Sequence, residues 1–493
     1  MRPSMASAIL TAALTGVVLS ACTDQPTASG SWLSAPPRAL SSADGASARV
    51  SVCHFSGAGA RVITVAESSI RAHEGHGDYV TELVVDKQYL GITDGVRFGR
   101  IADAIMAAKV VRTSHGELES AACRITISVG PGVFTGAAAP NAPPGGETFP
   151  LVLDAPDVTL RGSFVMPLDG NGRAADVAGG PDATIISPSV PLPFVAGLSI
   201  PIFVVDGHPG GSVGNGVVIE GFVLRSGHPE VGTGAGGQGV LSLRVRDLVV
   251  RGNRFDWGFT ESIDLRATSA TVEVNHLSGG RGSCDMCLAG PGDYTARGNR
   301  LLGGGIPGIF IIPAVLLPVP PGIEQYALPA TAALTASVVN NEVRDHLRLP
   351  VGVGLRVGAI GVGAPNVVGT TRVDARDNLL VNNRFGVIVE AAFPVVNTAL
   401  RGDIDFTLHG NTIAASCQTN LLVAFTRHTT ALGLASLPYL RNATYALSLG
   451  GDISWADAWY GHPAGFGNTL LVDGETIGNR VKHSYDAART CTT

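Results

Sequence analysis

Charge is scarce in this chain: only 15% of its 493 residues are Asp, Glu, Lys or Arg. About a quarter is usual for soluble domains, and a disordered chain would carry more charge and less apolar residue than this one. Positive charge does not dominate either. The 34 Lys and Arg face 40 Asp and Glu, for a net −6, so a non-specific nucleic-acid partner is excluded. Glycine is absent from every third position, which excludes collagen. The Glu, Lys and Leu enrichment of a coiled coil is missing too. No nucleophile elbow, phosphate loop or dinucleotide fingerprint stands in a supporting context. Past residue 22 no apolar run looks membrane-spanning, because 306–320 is broken by Pro307, Pro313, Pro318 and Pro320. What is abundant is glycine, 64 of 493 residues or about 13%, nearly twice the usual share. With 45% hydrophobic residues, the composition describes a large, Gly-punctuated, β-rich chain with a sizeable core.

Residues 1–21 read as a signal peptide: Arg2, then an apolar run from about Ala6 to Leu19, then small residues. Leu19-Ser20-Ala21-Cys22 resembles the bacterial lipobox. The resemblance implies cleavage before Cys22, lipidation of that cysteine and a place in the cell envelope. The alternative is an ordinary cleaved signal with a chance cysteine. Thr23 after the anchor favours the outer membrane over inner-membrane retention, and the membrane is met through the lipid alone. Residues 22–48 are rich in Ser, Ala, Thr and Pro and read as a flexible tether.

Six further cysteines, Cys53, Cys123, Cys284, Cys287, Cys417 and Cys491, suit disulfides in an exported protein. Neighbourhood in sequence suggests 53–123, 284–287 and 417–491. Between 49 and 94, Val52-Cys53-His54, Ile63-Thr64-Val65 and Ala72-His73 to His76-Gly77-Asp78 resemble a short module of exported bacterial proteins with the pattern VCH, ITV, AHxxHGD. His73 and His76 share a face if this stretch is helical, and His54 is the candidate third ligand for an ion such as Zn²⁺. The alternative is a small disulfide-tied fold with structural histidines.

From about residue 150 the chain repeats. Short alternating strands end in a turn residue at Asn253, Asn275, Asn299, Asn341, Asn378 and Asn411, with glycines at Gly221, Gly252, Gly298 and Gly410. A coil of about 22–25 residues with insertions accounts for the spacing, and stacked coils bury one continuous interior. Asn and Gly suit corners that need φ > 0, and stacked Asn amides can bond along the axis. The pattern resembles the right-handed parallel β-helix of pectate-lyase-like proteins over 95–475, with a helix near 98–108 and a strand near 125–129 as the N-terminal cap and 476–493 as the tail. The fold class expected is therefore all-β, a right-handed parallel β-helix, and a monomer.

Lined up on that repeat, Glu220, Arg251, Glu273 and Arg297 alternate in sign on one outer face, which reads as structural. The strands before them carry the candidate site. There Ile263 and Leu265 point inward, which puts Asp264 and Arg266 outside; Arg356 and Glu390 follow by the same alternation, with Asp285 nearby. Glycoside hydrolysis needs two carboxyl groups, from Asp264 with Asp285 or Glu261. β-Elimination needs a base, Arg266 or Arg356, with Asp256 and Asp264 holding Ca²⁺. The plain alternative is surface charge on a solvated sheet. Trp257, Trp455, Trp459 and Tyr460 are candidate sugar-stacking plates or packing. The function expected is binding of extracellular polysaccharide or another surface macromolecule without catalysis. The alternatives are a polysaccharide lyase or glycoside hydrolase acting on uronic-acid glycans, and a structural envelope protein.

Overall fold

The computed structural model describes residues 49–424 apart from 57–58, 93, 116–122, 137–145, 189–200, 208–213, 227–236, 257, 281–283, 305–306, 314–329, 348–351, 359–367 and 391–401. Beyond 424 it describes the strands Thr444–Leu447, Ala458–Gly461, Thr469–Val472 and Glu475–Thr476. Cys22, the tether, Trp257, Trp455 and Cys491 lie outside the described residues.

The chain is a right-handed parallel β-helix. From Ile125–Val129 to Phe385–Glu390 each strand pairs with the third strand along, and the strands fall in rotation onto sheets of eleven, nine and ten strands. Such a rotation is what short apolar strands give when each turns a corner before its neighbour is reached. The interior is apolar: Phe203, Val240, Ile263, Met286, Ile309, Leu355 and Val387 stack in register inside the ten-stranded sheet. The corner asparagines stand where the repeat places them. Asn253, Asn275, Asn299 and Asn341 are fully buried. Each donates from Nδ2 to the next Asn Oδ1 at 2.9–3.2 Å and to a strand carbonyl of the previous coil at 2.8–2.9 Å. Gly221, Gly252, Gly298 and Gly410 sit beside them with φ between 62° and 74°, a conformation an L side chain resists.

At the N-terminal end the helix Ile101–His115 covers the coil interior. Its first amides are capped from afar, with Glu147 accepting from Ile101 N at 2.7 Å and Ala102 N at 3.0 Å; four such donors are left over at any helix start. The stretch 49–94 is joined to this end. The hairpin Arg49–Ser56 with Gly59–Ala66 is antiparallel, but Glu82–Val85 pairs parallel with Ile125–Val129 and so extends the eleven-stranded sheet. Cys53–Cys123 ties the hairpin to the first coil, with Cα atoms 5.6 Å apart. Cys284–Cys287 is also formed, and Cys417 is disulfide-bonded to a partner outside the described residues.

One segment leaves the coil plan. Residues 163–180, between Val158–Arg161 and Thr184–Ile186, run along the outside of later coils. Ala174 N donates to Gly298 O at 2.8 Å; Arg173 Nε donates to Asn340 Oδ1 at 3.0 Å and its Nη2 to Asp377 O at 3.3 Å. Phe164, Met166 and Ala174 pack with Ile185 and Val223 in a separate apolar cluster beneath it.

Candidate functional site

The ten-stranded sheet carries the side chains singled out for catalysis, and the alternation holds: Ile263 and Leu265 face the interior, Asp264 and Arg266 the outside. The expected solvation does not hold. Asp264 and Arg266 are each 3% exposed and Arg356 is 1% exposed. Their row and its flank are largely apolar, with Leu241, Cys287, Phe310, Ile312 and Ile388 all buried. Two-sided burial is the usual state of a parallel sheet. Asp264 Oδ2 accepts from Arg266 Nε at 2.9 Å and from Gln238 Nε2 at 2.8 Å. The Arg356 guanidinium lies 4.7 Å over the Phe310 ring, a cation–π contact strengthened by desolvation. In register, Asp264 and Arg356 are separated by Cys287 and Phe310, about 14 Å at the spacing of parallel strands. Glu390 ends the strand Phe385–Glu390, and its side chain lies outside the described residues.

Asp285 takes a different place. It sits in the turn before Met286, fully buried, and meets His346 Nε2 at 2.8 Å. His346 was not legible as its partner, because 61 residues separate them. The room for the pair comes from two glycines: a Cβ on Gly280 would lie 1.6 Å from Asp285 Oδ1, and one on Gly304 2.6 Å from both side chains. This pair is enclosed in the scaffold. Asp256, paired in the calcium reading with Asp264, directly follows the strand Arg254–Phe255 of the nine-stranded sheet, where Arg254 Nε at 2.6 Å and Arg225 Nε at 3.1 Å compensate it. Among the described side chains, Asp264 with Arg266, Asp285 with His346, and Arg356 over Phe310 thus fall into separate groups.

The histidine module assembles a different trio from the one expected. The helix Ile70–Glu74 ends before His76, and Gly77 with φ 85° turns the chain away, so His76 is exposed. Asp78 takes its place. Its buried Oδ2 meets His54 Nδ1 at 2.8 Å and His73 Nδ1 at 2.7 Å, while Oδ1 accepts from Phe55 N at 3.0 Å. Burial works against the charge on Asp78, but the hydrogen bonds from His54, Phe55 N and His73 outweigh it and hold the carboxyl down at about 2. The signal for Asp78 was present in the sequence, since it closes the same HGD run. Cys53, next to His54, faces the other way into its disulfide, as strand alternation requires.

The open polar face is on the eleven-stranded sheet. Glu220, Arg251, Glu273 and Arg297 form the expected alternating ladder, which Arg161 extends by one coil; Arg251 Nε meets Glu220 at 2.6 Å and Arg297 Nε meets Glu273 at 2.6 Å. Toward later coils the strands lengthen from four residues in Ala270–Glu273 to nine in Thr331–Val339 and Val368–Arg376. This widening adds a row in which Asp293, Thr335, Arg372 and Asp405 stand in register and exposed. Beside it run Thr295, Ser337, Asp374 and Thr407, then exposed Arg297, Arg376 and His409. Trp459 and Tyr460 lie on the strand Ala458–Gly461, which extends the ten-stranded sheet.

No family model and no curated protein matches the chain. Among solved structures it is similar to DFA-IIIase from Arthrobacter chlorophenolicus A6, at 12% identity over 79% of this chain and 94% of that one, with a TM-score of 0.40. It is also similar to the A-module of the Azotobacter vinelandii mannuronan C-5 epimerase AlgE4, at 15% identity over 79% and 94%, TM-score 0.32. A third is the exopolygalacturonase from Thermotoga maritima, at 11% identity over 76% and 88%, TM-score 0.32.

Proposed function

We propose that this protein is exported, anchored in the bacterial envelope through Cys22, and binds extracellular polysaccharide on the widened face of the eleven-stranded sheet without catalysis. The observation that carries the reading is the exposed row Asp293, Thr335, Arg372 and Asp405 with the parallel row from Thr295 to Thr407. Rows at about 4.8 Å spacing set hydroxyl, carboxylate and guanidinium groups in line. Hydroxyls and carboxylates hydrogen-bond sugar hydroxyls, and Arg372 and Arg376, which rest 3.3 Å from Asp405 and 3.0 Å from Asp374, would exchange these exposed partners for the carboxylates of a uronate. Two observations favour binding over turnover. Asp264 is neutralised inside the scaffold by Arg266, and Asp285 is enclosed with His346, so neither supplies an acid or base at an open surface.

The test is a panel of neutral and uronate polysaccharides, read for retention of the protein and for reducing ends or unsaturated products. Retention by a uronate polymer without products is expected. The double change Arg372→Ala and Arg376→Ala should weaken it by about tenfold, because each exposed charge pair lost is worth up to about 1 kcal/mol. Products from any member would overturn the non-catalytic reading. Retention that ignores both arginines would move the binding face elsewhere.

A further inference from the structure

We propose that His54, His73 and Asp78 form a binding site for a first-row divalent metal ion, with Zn²⁺ the expected occupant. Among the described residues they are the group of His, Cys, Asp and Glu whose ligand atoms all lie within 4.8 Å of one another. The donors are of the right kind: two imidazole nitrogens and one carboxylate oxygen are a borderline-soft N₂O set that suits zinc. They come from three elements held independently. His54 is on the strand Arg49–Ser56, whose neighbour Cys53 is fixed by its disulfide. His73 is on the helix Ile70–Glu74, and Asp78 follows the turn at Gly77.

Access is also right. The Asp78 side chain is fully buried, but those of His54 and His73 are 30% and 24% exposed, so the trio opens to solvent on one side. Phe55 N holds Oδ1 of Asp78 and leaves Oδ2 to point between the two rings. That amide is the kind of outer contact that orients a metal-bound carboxylate.

Both imidazoles now point Nδ1 at the same oxygen, at 2.8 and 2.7 Å. A tetrahedral zinc with bonds of about 2.0–2.1 Å sets its ligand atoms about 3.3 Å apart. Loading therefore requires the two part-exposed rings to swing outward by about half an ångström. Each ring then carries its proton on Nε2, and the Nδ1 lone pairs and Oδ2 face the ion. Three protein ligands leave the fourth position to water or an external ligand, the arrangement of an open site. His76 takes no part.

The processed full-length protein, stripped with chelator, is titrated with Zn²⁺ by calorimetry, with Co²⁺ absorption as a second probe of tetrahedral binding. One ion per chain is expected. His54→Ala and His73→Gln should each weaken binding more than about tenfold, while His76→Ala leaves it unchanged. Formation of the Cys53–Cys123 disulfide reports whether a variant has folded. Nitrogen NMR of the wild type needs no variant: Zn²⁺ should shift Nδ1 of His54 and His73 and leave His76 in place. No saturable binding, or a His76→Ala loss equal to that of His54→Ala, would overturn the site and make the trio a structural hydrogen-bond cluster.

Discussion

His276 begins the strand His276–Ser278 of the nine-stranded sheet, under the 163–180 segment and 1% exposed, with Arg254 Nη1 3.2 Å from its Nδ1. Burial lowers its pKa to about 4, helped by Arg254 and Arg300, while Asp176 and Asp256 pull the other way. The folded imidazole stays neutral where the unfolded one, near 6.5, already takes a proton. Stability is therefore unaffected by this group above pH 6.5 and falls as the pH drops from 6.5 towards 4. The loss is at most about 3 kcal/mol over that window. Urea midpoints of wild type and His276→Gln, compared at pH 7 and pH 4.5, check this. The wild type should lose more on acidification, and a difference between the two that ignores pH would exclude His276 as the source.

The asparagine ladder is an element in its own right, as continuous as a strand but running along the axis. Asn299 accepts from Asn275 N and Nδ2, and donates to Val272 O and Asn341 Oδ1. Asn299→Ala strands these buried groups, at about 1–3 kcal/mol for each left unpaired. A total near 3–5 kcal/mol is expected in chemical denaturation, against under about 1 kcal/mol for Arg297→Ala on the exposed charge ladder. Both ladders could be read from the sequence because their spacing is local: a turn residue recurs once per coil, and in-out alternation follows from the pleat. Alternation says which side of a sheet Asp264 takes, but not what lies against that side. The partners that decide it are remote in sequence, as Gln238 is for Asp264, His346 for Asp285 and Asp176 for Arg254. Asp78 is the intermediate case. It was visible inside the quoted motif, but a nonhelical turn after Glu74 gave it the place a continuous helix would have given His76.

For the whole molecule, the N-terminal module closes one end of a long solenoid. Glu82–Val85 and Arg97–Phe98 extend the eleven-stranded sheet past its first coil, beneath the hairpin that Cys53–Cys123 holds down. Exposed sheet ends invite pairing with other chains, and terminal caps prevent it. The disulfide spans 70 residues, so removing it with paired Cys→Ser changes should cost up to about 4 kcal/mol by the chain-entropy account. Hydrogen exchange localises the effect. Amides of 49–66 should exchange faster while those of the coils beyond 240 keep their protection, and uniform loss along the chain would show that the cap and the coils unfold as one.

The 163–180 segment changes what kind of polymer this solenoid is. Ordinary stacked repeats touch only the repeat on either side, so their stability is a nearest-neighbour sum and their ends fray one unit at a time. Here Arg173 reaches Asp377 O across 204 residues of chain, and Arg300 reaches back to Asp169 at 2.8 Å. Coils that are not adjacent thereby share one tie, a contact outside the nearest-neighbour sum. The order of synthesis carries a second consequence: the segment emerges early, but its last acceptor does not exist until residue 377 has followed, so this tie can form only after the coil that carries Asp377 has been made.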